Sequence, residues 1–421
     1  MAQQIVTAVR TADSAWRELE GRRTLLPSGC GQPVGLLEAL RAAPRDLHLE
    51  LVAGIQSGGY DWLDDGPAGV AFTTWQLTTG LRRSVRGASA RYLPMRYSRL
   101  VDTFSPGGAY AVDALVVHVT PPDSSGMCSM GVAPSYAATL AQRVPFIVAV
   151  INPRMPRTIG HPLFPIDRAD VVVEVDSPIV EIPLSGAPSD FDARIAVNVA
   201  SLIDDGATVQ TGIGGVPDAL AGALTGRKDL GWAGMLTDSA LPLIKSGVVN
   251  GRFYAPSPDA IEAGEIMGTK DLYDFADGNE FVRAVSVDHS MRAETFRSID
   301  RFIAVNSAIE VDLTGQVNAE SIGSRAISGP GGQLDYMEGA LLSPGGKAVI
   351  ALRSSGKNGA SRLVSSLAPG SAVTTPRTAV THVVTEFGIA ELEGRTLAER
   401  ADSLIAIAAP EHRDRLRAGD R

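Results

Sequence analysis

A glycine-rich turn in the middle of the chain has the residue types that bind an anion. The segment TVQTGIGGVPDAL runs from a strand-like stretch into a helix that starts near Pro217. Its turn consists of Gly212, Ile213, Gly214, Gly215 and Val216. Glycines let backbone N–H groups approach a phosphate, and a helix N-terminus adds a partial positive charge. The spacing differs from Gly-x-Gly-x-x-Gly, which disfavours a dinucleotide cofactor, and the same residues also suit a plain strand-to-helix connection.

Two later turns offer further polar groups. The segment SGPGGQLDYMEGA sets Gly331 and Gly332 beside the amide of Gln333, and SSGKNGA places Lys357 in a flexible turn. A lone loop lysine is usually solvated, whereas a lysine near anion-binding turns can hold a phosphate. These turns therefore extend the prediction of an anion site.

The elements that position these turns alternate along the chain. The strand-like runs are ALVVHV, FIVAVI, VVVEV, FIAVN and AVIAL, and the helical stretches include VGLLEALRAAP, SYAATLAQRV, ARIAVNVASLI and LAERADSLIAIA. Short apolar runs rich in β-branched residues, separated by amphipathic helices, predict an α/β architecture with largely parallel sheets. The segment VEIPLSGAPSDFDA has the composition of a linker and divides the 421 residues into domains 1–185 and 186–421.

Composition narrows the partners. Hydrophobic residues make up 44% and charged residues 20%, and the net charge of -9 argues against general affinity for nucleic acid or an anionic membrane. Two cysteines are too few for a disulfide framework or a metal cluster, so a reducing cytoplasm fits best. The sequence contains no run of about 18 apolar residues, so it predicts no membrane span. Small molecules and protein subunits are the expected partners, with no metal and no tightly bound cofactor.

Six motifs resemble those of one known family, in the same order over about 300 residues. They are PPDSSGMCSMG, NPRMPRTIG, GIGGVPDAL, VDLTGQVNAESIG, GPGGQLDYMEGA and VTEFGIAELEGRTLAERADSLIAIAAPEHRDRL. The chain resembles the acetyl-CoA hydrolase/transferase family, the single-chain coenzyme A transferases. The resemblance implies two related open-sheet α/β domains with the active site between them, and a homodimer. Coenzyme A would be a substrate or product, and the second substrate a small carboxylic acid or water.

The resemblance also assigns roles to the turns. It implies that residues 212–216 contact CoA and that Ile309, Gly332 and Lys357 line the same site, although Ile309 also fits a plain core position. Gly331 and Gln333 would place donors where a thioester carbonyl becomes an oxyanion.

The family's nucleophile is missing from its expected place. Its reaction uses a glutamate that attacks the acyl-CoA thioester and then carries CoA as a glutamyl thioester. In DLGWAGMLTDSALPLIKSG, anchoring on Met235 and Asp238 puts Gly234 at the glutamate position. The sequence predicts a loop tip here, between a strand end and a helix. Trp232 takes the place of a family histidine and either fills the vacated space or stacks on a flat acyl group.

Other residues of the sequence could supply a nucleophile in place of a glutamate at position 234. Glu262 and Glu265, in PDAIEAGEIMG, could reach the site from another loop, but the favoured interpretation is an exposed surface pair. Glu338 is a weak catalytic candidate, and Cys30 is another because a thiol between two glycines can accept an acyl group if a base lowers its pKa.

Three hypotheses follow. The first is an enzyme that hydrolyses, cleaves or condenses an acyl-CoA without a glutamyl-CoA intermediate. The second is a CoA-transferase with a relocated carboxylate, and the third is a non-catalytic acyl-CoA-binding protein. The missing glutamate favours the first.

Overall fold

Two compact units make up the protein. The computed structural model describes residues 9–44, 46–65, 68–81, 90–161, 163–184 and 186–419. The first unit contains the chain up to Ile182 together with Glu262–Ser290, and the second contains Pro183–Ile261 and the chain from Met291 onward. Ser185, at the predicted domain boundary, lies outside the described residues. The stretch Glu262–Ser290, which the predicted boundary assigns to the second domain, belongs to the first unit.

The first unit is built on a parallel sheet. Its described strands are β1 (Val9–Arg10), β2 (Arg23–Leu25), β3 (His48–Ala53), β4 (Gly69–Thr74), β5 (Ala90–Tyr92), β6 (Ala114–Val119), β7 (Met127–Cys128), β8 (Phe146–Ile151), β9 (Ile159–His161), β10 (Phe164–Pro165), β11 (Val171–Glu174), β14 (Ile261–Met267) and β15 (Val282–Val285). The eight-stranded sheet has the order β1-β11-β8-β6-β2-β3-β4-β5, and each adjacent pair in it is parallel. All six residues of β6 are buried, as expected for a strand covered on both faces.

Helices cover this sheet. In the described part of the first unit they are Ala12–Glu18, Val34–Arg41, Asp61–Asp64, Leu100–Phe104, Ser135–Leu140, Lys270–Ala276 and Val287–Ser290. The first begins after Thr11, whose hydroxyl accepts the Ser14 N–H and so caps the helix N-terminus. The segment Ile261–Met267 enters the unit as a strand and leads through Thr269 into the helix Lys270–Ala276.

The second unit has a mixed sheet of the same general kind. Its described strands are β12 (Thr208–Thr211), β13 (Gly231–Thr237), β16 (Phe302–Asn306), β17 (Glu310–Asp312), β18 (Val317–Asn318), β19 (Ser321–Ile322), β20 (Arg325–Ala326), β21 (Lys347–Ala351), β22 (Leu363–Val364), β23 (His382–Thr385) and β24 (Gly388–Glu391). Within the unit the order is β24-β23-β21-β16-β12-β13, and only the β23–β24 pair of this set is antiparallel. Parallel strands end at one edge of the sheet, where α/β proteins place ligands.

Seven described helices pack around that sheet. They are Asp190–Ala200, Gly215–Ala223, Leu241–Lys245, Ala293–Ser298, Gln333–Leu342, Leu397–Ala406 and Pro410–Arg417. The core of the unit buries Phe296, Phe302 and Met337 among aliphatic side chains of the strands and helices.

The predicted α/β architecture with largely parallel sheets is confirmed. The helix predicted from ARIAVNVASLI begins earlier, at Asp190, because Ser189 and Asp192 form a capping box that extends its N-terminus. The helix in SYAATLAQRV is shorter than its sequence suggests and covers Ser135–Leu140.

Candidate functional site

The glycine-rich turn of the second unit connects β12 to the helix Gly215–Ala223, as the sequence predicts. Gly214 has φ 126° and ψ 179°, a conformation that glycine adopts and residues with a Cβ avoid. The turn therefore exposes backbone N–H groups at a helix N-terminus, and Ile213 is 51% exposed beside them.

A cavity of about 230 Å³ opens at this turn. It is lined by the turn, by Asn306 and Ser307 at the end of β16, by Arg353 just after β21, and by Arg362 just before β22. β12, β16 and β21 are neighbouring parallel strands, so the cavity lies at their carboxyl ends. Backbone donors and two guanidinium groups around one cavity make it suited to a polyanionic ligand.

One of the two arginines is held by the protein itself. The guanidinium of Arg353 donates to the two carboxylate oxygens of Asp192 at 3.0 and 2.6 Å, and also to the Ser189 hydroxyl. Burial by itself raises the pKa of Asp192, but the hydrogen bonds from Arg353 and Ser189 outweigh burial and lower it. This ion pair fixes one wall of the cavity and leaves little of the Arg353 charge for a ligand.

The other arginine keeps its charge available. Arg362 is half-buried, and its guanidinium makes no hydrogen bond or ion pair with the part of the chain that the structure describes. Burial and the nearby charge of Arg353 lower its pKa, while Glu386 raises it. A guanidinium stays protonated despite such shifts, so Arg362 is the cation in the cavity best placed to bind a phosphate.

The other residues assigned to CoA by resemblance lie elsewhere in the second unit. Ile309 is half-buried and its N–H donates to the Asn318 carbonyl at 2.8 Å. Gly332 precedes the helix Gln333–Leu342, and Lys357 is exposed in the turn after β21. None of Ile309, Gly332 and Lys357 lines the 230 Å³ cavity. Their contact with CoA stays a prediction.

The residues predicted for an oxyanion or acyl pocket are largely engaged within the protein. The Gln333 amide donates to the Thr375 hydroxyl at 3.1 Å, and Gly331 has φ 53° just before the helix. Trp232 is 1% exposed and its indole N–H donates to the Met235 carbonyl at 2.9 Å. Of its two predicted roles, filling space agrees with this burial.

Gly234 does not lie at a loop tip, and the prediction of a delivery loop is wrong. Residues 231–237 form β13, which pairs in parallel with β12. Gly234 has φ 94°, and a Cβ added there would lie 2.7 Å from the Tyr336 hydroxyl and 3.2 Å from Gln210 Cγ. A side chain at this position meets both backbone strain and a filled space.

The interpretation of Glu262 and Glu265 as an exposed pair is also wrong. Both lie on β14, where residues three apart point to opposite faces. Glu262 is 4% exposed and its carboxylate lies 3.0 Å from His289 Nε2. Glu265 Oε1 accepts the Tyr97 hydroxyl at 2.9 Å, and its Oε2 is buried and accepts no hydrogen bond from any described residue. A strand that is packed on both faces buries charged residues that a short sequence window assigns to the surface.

The environment of Glu265 favours its neutral form. Burial raises its pKa to about 8, although hydrogen bonds from Tyr97 and Ser135 act in the opposite direction. The Tyr97 and Ser135 hydroxyls also share a short hydrogen bond. An enclosed carboxyl group with a raised pKa and an unsatisfied oxygen is a marker of a functional site.

A loop of the first unit lies beside this carboxyl group. Gly29 has φ 60°, and a Cβ added there would lie 3.6 Å from Glu265 Oε2 and 3.5 Å from Met267. The preceding Ser28 is anchored by a 2.7 Å hydrogen bond with the Tyr136 hydroxyl, which also donates to the Leu26 carbonyl. The backbone at Gly29 therefore lies close to Oε2, and a Cβ at this position would come into van der Waals contact with it.

The remaining nucleophile candidates are less suitable. Cys30 is 1% exposed, and Cys128 is fully buried with a thiol pKa raised to about 11 by burial. Glu338 is exposed on the helix Gln333–Leu342. Reactive cysteines need an accessible thiolate, so neither thiol has the environment of a nucleophile.

The described residues contain neither a metal-binding cluster nor a membrane-spanning helix. No group of three or more histidine, cysteine, aspartate or glutamate side chains is arranged to hold a metal ion there. No helix in the same residues is long and apolar enough to cross a bilayer.

Comparison with known sequences identifies relatives along the whole chain. Residues 21–183 match the acetyl-CoA hydrolase/transferase N-terminal domain, and residues 268–419 match the C-terminal domain of the same family. The chain is 38% identical to the 4-hydroxybutyrate coenzyme A transferase of Clostridium kluyveri, covering 96% of this chain and 95% of that protein. It is 32% identical to the butyryl-CoA:acetate CoA-transferase of Anaerostipes caccae, covering 97% and 94%.

A solved structure agrees with these relatives. RipA from Yersinia pestis superposes with a TM-score of 0.87 at 26% identity, covering 98% of this chain and 96% of that one. The sequence relatives are named as CoA-transferases, and the fold matches that of RipA along almost the whole chain. The chain belongs to the acetyl-CoA hydrolase/transferase family.

Proposed function

We propose that this enzyme acts on an acyl-CoA thioester and that position 234 takes no covalent part in the reaction. The observation that carries this proposal is the filled space at Gly234, where the Tyr336 hydroxyl occupies the room that a side chain needs. A glutamyl intermediate on β13 therefore has no support in the geometry.

The cavity at the glycine-rich turn supports binding of the CoA moiety. CoA carries a pyrophosphate and a 3′-phosphate, and the cavity offers backbone donors at a helix N-terminus together with the guanidinium of Arg362. CoA is too large to fit entirely in a cavity of about 230 Å³. Ile309, Gly332 and Lys357 would then contact the parts of CoA that lie outside it.

Among the possible acceptors, a carboxylic acid is favoured over water. The observation that favours an acid is the enclosed carboxyl group of Glu265. Such a group can form an anhydride from which water is excluded. The two relatives are named as transferases of CoA to or from 4-hydroxybutyrate, butyrate and acetate. We therefore propose transfer of CoA between small carboxylic acids as the reaction, in place of hydrolysis or bond cleavage.

A direct assay separates these reactions. The protein is incubated with acetyl-CoA or butyryl-CoA, with and without acetate, butyrate or 4-hydroxybutyrate, and the thioesters are separated by liquid chromatography and mass spectrometry. Transfer predicts a new acyl-CoA that forms only when the matching acid is present. Release of free CoA at the same rate without any acid would reject transfer in favour of hydrolysis. Binding of CoA without turnover of any thioester would reject an enzymatic function.

A further inference from the structure

We propose that Glu265 is the carboxylate that accepts the acyl group and then carries CoA. This inference rests on the proposed function, because it names the nucleophile of that reaction. Glu265 lies on β14 of the first unit, 31 positions along the chain from Gly234.

The first argument is the incomplete hydrogen bonding of Glu265. Oε1 accepts the Tyr97 hydroxyl at 2.9 Å, whereas Oε2 is buried and accepts no hydrogen bond from a described residue. Leaving a buried polar atom unsatisfied costs free energy, and native proteins keep few such atoms. A reaction that uses Oε2 explains why this one is retained.

The second argument is the contrast with Glu262 on the same strand. Glu262 is 4% exposed and its carboxylate lies 3.0 Å from His289 Nε2. That pairing accounts for Glu262 as a structural residue. Glu265 points to the opposite face, and the described structure offers it hydroxyl donors but no cation.

The surroundings of the carboxyl group fix its orientation. Gly29 approaches Oε2 in a left-handed conformation, and even a methyl group there would come within 3.6 Å of it. The neighbouring hydroxyls of Tyr97 and Ser135 fix the other side of the carboxyl group. A carboxyl group that is oriented through Oε1 and keeps Oε2 without a hydrogen bond from a described residue has the arrangement that a nucleophile needs.

The proposed reaction forms and breaks bonds in four steps. Glu265 first loses its proton to a base in the solution, and with a pKa of about 8 the carboxylate is the minor form at neutral pH. Oε2 of that carboxylate attacks the acyl carbonyl carbon, the C–S bond breaks, and CoA leaves as a thiolate to give an acyl-glutamyl anhydride. The thiolate then attacks the Glu265 carbonyl carbon and releases the first carboxylate, which leaves a glutamyl-CoA thioester. A second carboxylate attacks that thioester carbon to form a new anhydride and free thiolate. Attack of the thiolate on the new acyl carbon yields the new acyl-CoA and restores the Glu265 carboxylate.

The test is chemical trapping with the full-length protein. The wild-type chain is incubated with acetyl-CoA and treated with hydroxylamine or borohydride, which convert an anhydride or thioester on a carboxyl group into a hydroxamate or an alcohol. Peptide mass spectrometry then locates the modification. We expect it on the peptide that contains Glu265 and on no other glutamate.

Matched variants complete the experiment. Glu265→Gln should lose turnover by at least about a thousandfold and lose the trapped adduct, because an amide is not a nucleophile. Glu265→Asp keeps a carboxylate and should retain a measurable fraction of turnover. Glu280→Gln, an exposed glutamate of the same unit, should match the wild type in both turnover and trapping. Far-UV circular dichroism of each variant establishes that it is folded.

Each result has a distinct meaning. An adduct on another residue, or wild-type turnover in Glu265→Gln, would overturn the assignment of Glu265 and leave the proposed function intact. Loss of turnover in Glu265→Gln without any trapped adduct in the wild type would also overturn a covalent role. A wild-type protein that turns over no acyl-CoA would instead refute the proposed function.

Discussion

Burial of Glu265 should make the stability of the protein fall with rising pH, and replacing it with glutamine should remove that loss. The carboxyl group has an ordinary pKa of 4.5, which burial raises to about 8 in the folded protein. Between these values the folded state binds more protons than the unfolded state does. The stabilising contribution of the neutral group is therefore complete below pH 4.5 and is lost as the pH rises through 8.

The size of the effect follows from the shift. A rise from 4.5 to about 8, at about 1.4 kcal/mol per pKa unit, corresponds to about 5 kcal/mol of unfolding free energy. Most of this loss falls between about pH 5 and pH 8, where the carboxyl group titrates in the unfolded chain but not yet in the folded one. A loss of that size is a large part of the net stability of an ordinary domain.

The assay compares urea unfolding of the wild type, Glu265→Gln and Glu280→Gln at a series of pH values. The other titratable groups near this strand are Tyr97, Tyr136 and the pair Glu262–His289. They are present in all three proteins, so differences between the curves isolate Glu265. Glutamine leaves an unpaired amide in place of Oε2, which shifts its whole curve but adds no slope.

The unfolding free energy of Glu265→Gln should depend on pH differently from that of the wild type and Glu280→Gln. Unfolding free energies of the wild type and Glu280→Gln should fall together, and the gap to Glu265→Gln should change by about 5 kcal/mol across the range. Parallel curves for the wild type and Glu265→Gln, within about 1 kcal/mol, would refute the argument that this carboxyl group is buried and neutral.

Three further predictions concern the second unit. Gly234→Ala should destabilise the protein by about 2–4 kcal/mol, because a Cβ there meets both a left-handed φ and the hydroxyl 2.7 Å away, whereas Gly226→Ala, with open space and an ordinary φ, should change the urea midpoint little. Arg362→Ala should weaken CoA binding about 10-fold or more in calorimetry, since it removes the free guanidinium of the cavity, while Arg415→Ala, on the last helix, should not. Asp192→Asn should lower the melting temperature at neutral pH but not in acid, because a carboxylate with a lowered pKa stabilises the fold above its ordinary value of 3.8 and loses that effect as the pH falls.

The sequence predicts the elements better than it predicts the positions of single charged residues. Apolar β-branched runs such as Ala114–Val119 and Phe146–Ile151 can only be buried strands, and the glycine-rich turn after Thr208–Thr211 has one local explanation. Gly231–Thr237 contains two glycines, which are poor strand formers, and its strand depends on pairing with Thr208–Thr211. That pairing is a long-range contact that no local window contains.

The same limit explains why the sequence suggests a surface position for Glu262 and Glu265. In PDAIEAGEIMG each glutamate has small or apolar neighbours, and only the packing of other elements over both faces of β14 decides its burial. The signal present in the sequence is length, because the seven residues Ile261–Met267, between Pro258-Asp259 and Gly268, have the length of a strand. A strand in a parallel sheet of an α/β protein is buried on both faces.

The environments of Gly234 and Glu265 are best understood together. The family reaction requires a carboxylate that is shielded from water and held by hydrogen-bond donors, and these requirements do not specify which strand supplies it. At position 234 the Tyr336 hydroxyl lies where a Cβ would point, so this part of the strand is packed. At position 265 the protein keeps a half-buried carboxyl group whose Oε2 is buried and accepts no hydrogen bond from a described residue, which costs stability. Position 265 thus carries the loss of stability that such a carboxyl group causes, and position 234 does not. This pattern is expected when a catalytic carboxylate has moved from one position to another.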